Sequence, residues 1–321
     1  MLRRIAYTAF LVLVAWNAFA HLPDSVFVGG QLMHVQGLAL DRDASEMYFS
    51  FTDKFIKTDL DGNVLAAIDS IPGHLGAMTR NPRDGKVYAS LEVKDDAIGN
   101  GIAEKLKIDK VAAGSSEFFV AVIDPRTMTM EKFRIDEACL DYNAPGHRYG
   151  CSGIDGVAIG PKIGSRGGKM YLYVAYGIYS DLDRDDNDDQ ILLRYDLRTR
   201  KLKDKYFIRT GNTNYGVQNL AYDPFTGQFF MAVYRGRKAG FPNHDLFAFD
   251  ASQKPVRKGG VARLQLGSGW YFPFGSTGLC PLGDGLWYIS HNFKDRKTGG
   301  QCCNARLYRW APEEGKPFVP R

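Results

Sequence analysis

Short apolar runs that alternate with polar residues recur along the whole chain, and turn residues interrupt them every few positions. One unit begins His34-Val35-Gln36-Gly37-Leu38-Ala39-Leu40, passes a polar turn, and continues as Met47-Tyr48-Phe49-Ser50-Phe51. Then come Phe55 to Asp59, a turn at Asp61-Gly62-Asn63, and Val64 to Ile68. A period of two over four to eight residues predicts strands, and the turns predict a meander of four, A to D.

The same grammar returns four more times. Strand A recurs at Leu75-Gly76-Ala77-Met78, Asp155-Gly156-Val157, Gln218-Asn219-Leu220 and Thr277-Gly278-Leu279. Strand B follows at Lys86–Ser90, Met170–Ala175, Gln228–Val233 and Leu286–Ser290, and strand C closes on Asp124, Asp196 and Asp250 in three of the units. One such sheet cannot bury both faces, whereas five arranged radially can. The expectation is an all-β chain forming a single β-propeller of five four-stranded blades. The last unit has little after Trp310 to serve as strand D, so Ser25-Val26-Phe27-Val28 is expected to complete it and lock the ring.

The first 20 residues read differently. Arg3 and Arg4 precede an apolar run from Ala6 to Ala18, and Ala18-Phe19-Ala20 offers a small-x-small cleavage pattern. This predicts a signal peptide over 1–20, a propeller domain over 21–321, and a secreted or periplasmic product with no membrane span of its own. Export permits disulfides. Cys139 and Cys151 are the expected pair, with Cys280, Cys302 and Cys303 left open.

Composition is that of a globular protein, 45% apolar and 24% charged, with a net charge of only +5. Charges of both signs are interspersed, which excludes a nucleic-acid stripe. Nucleophile-elbow, zinc-helix, phosphate-loop and dinucleotide motifs are absent. A monomer binding a small molecule or glycan is the expected form.

Loop length points to one rim. The A–B and C–D turns are tight, while the B–C segments at Val93–Glu117, Gly177–Gln190, Arg235–His244 and Asn292–Asn304 are long, as is the Glu137–Gly153 connection. Insertions gathered on one face predict a binding face. Starts of strand A and ends of strand B should meet there. This nominates His34, His74, Glu92, Asp155 and His291 as acid–base groups, and Gln36, Tyr176, Gln218, Tyr234 and Thr277 as substrate contacts. Glu92 and Asp155 form the one available carboxylate pair, although Glu92 could equally pair with Lys94. In the acidic loop, Asp181-x-Asp183-x-Asp185 matches the opening of an EF-hand calcium loop without its glycine and closing glutamate, and Asp181, Asp183, Asp185 and Asp189 are the candidate ligands. Ca2+ is the cofactor considered there; the alternatives are a solvated acidic loop and pairing with the basic loops at Arg235, Arg237 and Lys238.

The strand-A signature of a polar residue, Gly and an apolar pair, with strand C ending in Asp, resembles NHL-type propellers and those of the gluconolactonase and regucalcin group. Residues 34–98 also resemble a family of exported bacterial proteins to which no activity attaches. In the gluconolactonase and regucalcin group an axial acid, two asparagines and an aspartate hold a divalent cation. The resemblance would place Gln36, Asp155 and Gln218 at those positions, with His34 and His74 beside them, but the acidic first ligand is missing. Five-bladed rings also serve glycosidases with three axial carboxylates and calcium-dependent nucleotidases. The functional expectation is an enzyme, a hydrolase or lyase for a carbohydrate or similar small polar substrate. The alternatives are a non-catalytic glycan- or protein-binding propeller and a metal-dependent lactonase or phosphohydrolase.

Overall fold

The computed structural model describes residues 22–165, 167–211 and 214–321. The leader and His21 lie outside the described residues. Five sheets follow one another along the chain, antiparallel except for one outer strand pair in the third.

After β1 (Ser25–Gln31), the first blade is β2 (Val35–Asp41), β3 (Glu46–Phe51), β4 (Lys54–Asp59) and β5 (Val64–Ile68). The second is β6 (His74–Arg80), β7 (Val87–Val93), β8 (Glu117–Asp124) and β9 (Thr129–Arg134), with helix α1 (Ala97–Leu106) inserted between β7 and β8. Helix α2 (Asp136–Asn143) then leads to the third blade: β10 (Cys151–Pro161), β11 (Met170–Ile178), β12 (Asp189–Tyr195) and β13 (Leu202–Arg209). The fourth begins with β14 (Asn214–Asp223), β15 (Gln228–Tyr234) and β16 (Leu246–Asp250). Its chain then leaves to form a hairpin, β17 (Val256–Lys258) and β18 (Val261–Leu264), on the outer edge of the third blade, where β18 runs parallel to β13. It returns as the short outer strand β19 (Ser268–Trp270). The fifth blade contains β20 (Leu279–Pro281), β21 (Leu286–Lys294), β22 (Gln301–Trp310) and β23 (Phe318–Pro320).

The ring closes as the pattern predicted. β1 pairs antiparallel with β22, Val26 opposite Ala305 and Val28 opposite Cys303. β23 continues the same edge, with Phe318 opposite Trp310. Both ends of the described chain therefore build the outer strand of one blade, and they meet at Leu307, whose N–H donates to Asp24 O and whose O accepts from Arg321 N.

The core explains why five blades suffice. Buried apolar residues fall into five clusters, one at each junction between neighbouring blades. The cluster joining the last blade to the first contains Val26, Val28 and Leu22 from the N-terminal segment. The repeated Asp at the end of strand C is structural. Asp59, Asp124, Asp196 and Asp250 each accept backbone N–H groups from residues two to four further on, which fixes the C–D turn.

Two expectations about the chain do not hold. All five cysteines are free. Cys139 and Cys151 are both buried in one cluster, but the Cys151 thiol is aimed at backbone oxygens of Ala138 and Gly153, 3.8 and 3.7 Å away, instead of at Cys139. The Asn292–Asn304 segment is not an open loop. It is largely a ribbon extending β21 and β22, with Asn292 opposite Cys303 and Lys294 opposite Gln301. No helix among the described residues is long and apolar enough to cross a membrane.

Candidate functional site

Strand pairing sets which side chains reach the axis. Leu38–Phe49, Met78–Ala89, Val157–Val174, Leu220–Met231 and Leu279–Ile289 are equivalent pairs in the five blades. Counting back two residues along strand A gives Gln36, Gly76, Asp155, Gln218 and Thr277. Counting forward three along strand B gives Thr52, Glu92, Gly177, Tyr234 and Asn292. Side chains alternate between faces, so an offset of one residue inverts the orientation.

Tyr176 and His291 carry that offset. Both stand one residue short of the mouth position, level with the buried Phe51, Leu91 and Val233. The Tyr176 ring is fully buried, and its hydroxyl donates to Asp141 Oδ2 at 2.7 Å. His291 lies away from the other histidines, stacked on Phe274 with ring centroids 3.9 Å apart. Its Nε2 contacts Tyr308 Oη at 2.7 Å, and burial lowers its pKa to about 4. The structure thus removes both from the predicted mouth. Gly177 occupies the position assigned to Tyr176, and a Cβ there would lie 2.8 Å from Asp155 Oδ2.

His74, Glu92 and Asp155 do converge. They are the one group among the described residues whose ligand-type atoms lie within 4.8 Å of one another. His74 and Glu92 are direct cross-strand partners on β6 and β7, with Nδ1 3.5 Å from Oε2. Glu92 is buried and fully engaged. Its Oε1 accepts the Ile154 N–H at 2.8 Å, and its Oε2 lies 2.9 Å from Lys94 Nζ. Gly153 makes this possible, because a Cβ there would fall 1.9 Å from Glu92 Oε1. Lys94, also buried, reaches Ser152 O at 3.3 Å. The sequence alternative of a Glu92–Lys94 pair is the observed one, with Lys94 directly after the end of β7 and two positions on from Glu92.

These contacts separate the two carboxyl groups. Burial pushes Glu92 up, but Lys94 and His74 more than offset it, so it stays ionised below the ordinary carboxylate range. Burial, and then the charge of Glu92, raise Asp155 to about 7, against opposing effects of His74, Lys94 and the Gln218 amide. Gln218 Nε2 donates to Asp155 Oδ2 at 3.0 Å. Burial would discharge Lys94, yet Glu92, Asp96 and Asp155 hold it charged. Two acids with divided pKa values, one near neutrality, are the arrangement that proton transfer requires.

The remaining nominated residues line the same mouth or sit just beneath it. Gln36 Nε2 lies 2.9 Å from His34 Nε2 and 3.2 Å from Thr52 Oγ1. Burial, then His74 and Lys105, lower His34 to about 4, which leaves it neutral. Tyr234 is raised to about 12 by burial and by Asp155, and its ring meets that of the exposed Tyr215 edge-on at 5.8 Å. Thr277 is buried and donates to Ser290 Oγ at 3.0 Å. Asn219 ties the ring across the axis, donating to Gln36 O and Ser276 O, both at 2.9 Å.

The acidic loop is separate. Asp181, Asp183 and Asp185 are exposed, and Asp189 is held by Arg263 through two 2.8 Å contacts. Lys238 and Arg209 take Asp188, at 2.5 and 2.7 Å. Its carboxylates do not bring three ligand atoms together, and the basic partners foreseen for this loop include the observed Lys238.

The three clustered residues at the axis could also offer ligands to a cation. His74, Glu92 and Asp155 are suitable donors, but the Lys94 ammonium already neutralises Glu92, and a divalent ion on that carboxylate would face it at close range. The donor set therefore fits protons better than a metal.

A larger cavity, about 390 Å³, opens at the opposite end of the axis, between Leu38, Met78, Ile159, Leu220 and Leu279. It is mainly apolar, and its charged rim is satisfied by pairs such as Arg42–Asp284 and Arg80–Asp41. Size alone would favour it, but the perturbed acid–base groups lie at the other mouth.

The residues missed by sequence reasoning are Gly153 and Gly177, which acquire meaning only from contacts between blades.

No protein-family model matches the chain, and no curated protein matches it. Among solved structures, it is similar to a functionally unknown protein from Desulfotomaculum acetoxidans DSM 771, with 12% identity and a TM-score of 0.41, over 90% of this chain and 69% of that one. It is also similar to the Pan2 WD40 domain of Neurospora crassa, with 8% identity and a TM-score of 0.38, over 85% of this chain and 63% of that one. Neither likeness bears on function.

Proposed function

We propose that this propeller is an exported enzyme that performs acid–base chemistry on a carbohydrate or similar small polar substrate at the mouth formed by His74, Glu92 and Asp155. The observation that carries this reading is Asp155, raised to about 7, beside a Glu92 that Lys94 and His74 hold below the usual carboxylate range. Asp155 is the group that takes and returns the proton. Glu92 has both oxygens committed, so it sets the charge of the site and does not attack the substrate. That argues against a double-displacement glycosidase, which needs a free second carboxylate. Hydrolysis by an activated water, or elimination, requires one proton acceptor and one donor. Asp155 accepts from water or carbon, and a His74 proton goes to the leaving oxygen. His74 Nδ1 makes no hydrogen bond, and its 3.5 Å approach to Glu92 is of the length that tightens when substrate binds. Tyr215, Tyr234, Gln36 and Gln218 would hold a polyhydroxylated ligand above this pair.

The test is carboxyl-carbon NMR of Asp155, which needs no substrate, followed by a screen of glycosides, uronate oligosaccharides and sugar lactones. Asp155 should titrate near 7, and Asp155→Asn should abolish any turnover found. A titration near 4, or an Asn variant as active as wild type, returns the molecule to a binding propeller.

A further inference from the structure

Two members of the acid–base cluster, His74 and Glu92, also line a second, smaller cavity beside it. It measures about 130 Å³, and its wall is mainly apolar: Val93, Ile98, Ile102, Ala103, Ile108 and Val111 line it together with His74, Glu92 and Lys94, and Asp109 is the further charged residue on the lining. Most of this wall belongs to the insertion between β7 and β8. Helix α1 starts on Asp96, whose carboxylate accepts Ile98 N and Gly99 N at 2.9 Å. Asp95 ties the far end of the insertion down through Ser116 Oγ at 2.5 Å and Gly114 N at 2.6 Å. The helix buries Ile102 and Ala103 on its inner side. Ile98 and Ile108, at the cavity's edge, remain 48% and 43% exposed.

We infer that the substrate of this site carries, beside its reacting polar group, an uncharged apolar substituent of about six carbons that seats under α1. The inference rests on the acid–base reading above and adds the class of group attached. Size supports it: an apolar protein cavity of about 150 Å³ takes up benzene. Charge supports it as well. Glu92 and Lys94 neutralise each other 2.9 Å apart, and the further charge on the lining, Asp109, is exposed to water, so the interior offers no counter-charge to an ionic substituent. Exposed isoleucines at the edge of an otherwise apolar wall gain most from a ligand that covers them. An aryl or alkyl substituent meets these conditions; a bare sugar meets only those of the polar mouth.

The experiment titrates the full chain with n-alcohols from propanol to octanol and follows the Ile98, Ile102 and Ile108 methyl resonances. Each methylene should tighten binding roughly fourfold up to hexanol and add little beyond. Ala103→Phe fills the cavity and should abolish the response. Ile108→Asp, at an exposed position that folding tolerates, should weaken hexanol binding severalfold. A series without chain-length dependence, or one insensitive to both substitutions, overturns the subsite. Its outcome is independent of the Asp155 titration. A flat series with Asp155 near 7 removes only the substituent, and a graded series with Asp155 near 4 shows an apolar pocket without the acid–base chemistry on which the substrate assignment depends.

Discussion

Glu92 and Asp155 sit in adjacent blades, and Glu92 binds the backbone N–H of Ile154, the residue just before Asp155, at 2.8 Å. One carboxylate thus fixes the strand that carries the other and raises its pKa at the same time. Position and proton affinity have a common source, so changes at either residue should be felt at both.

Asp155 should make stability pH-dependent in a defined direction. Its folded pKa, about 7, lies above the ordinary 3.8. The folded state therefore holds the proton more tightly, and the contribution is fully present below about pH 4 and lost as pH rises through about 7. Asp155→Asn removes the effect. The melting temperature of wild type relative to this variant should fall between pH 4 and 8; a constant difference would show that Asp155 titrates normally.

Lys94 is the sole buried cation touching Glu92 among the described contacts. Lys94→Met should cost about 3–5 kcal/mol, because it strands a buried carboxylate. Lys94→Met with Glu92→Gln should recover much of that loss. Denaturant titration of the three proteins measures both. A single-variant loss below about 1 kcal/mol would mean that the pair behaves as an exposed one.

Closure through β1 predicts a contrast within a few residues. Val28 is 3% exposed, in the cluster between the last blade and the first. Val28→Asp should destabilise the fold by about 3 kcal/mol or more, since its charge would be buried without a partner. Ser25→Asp on the exposed side of the same strand should change stability by no more than about 0.5 kcal/mol. Equal, small losses would mean that β1 does not hold the ring shut.

The thiols should be inert and unpaired. Burial pushes Cys280 and Cys303 up to about 12, and thiolate is the reactive form. An aromatic disulfide reagent should label almost none in the native protein and all five after denaturation, without prior reduction. Fewer than five would reveal a disulfide.

The sequence by itself determined the repeat, the order of strands, the count of blades and the closing role of Val26 and Val28. Each follows from local alternation and turn chemistry, and one sheet with two apolar faces must find neighbours. It also placed His74, Glu92 and Asp155 on one rim. Tertiary structure alone decided which of the nominated side chains face the axis. Strand A is bulged near its start in the first four blades, and a bulge shifts the alternation by one residue without changing the pattern that announces the strand. Tyr176 and His291 were misplaced because strand B was expected to end at Ala175 and Ser290, whereas β11 runs on to Ile178 and β21 to Lys294. Tertiary structure also decided the approach of Gly153 to Glu92 and the cavity under α1: these contacts join segments distant along the chain, and no local period encodes them.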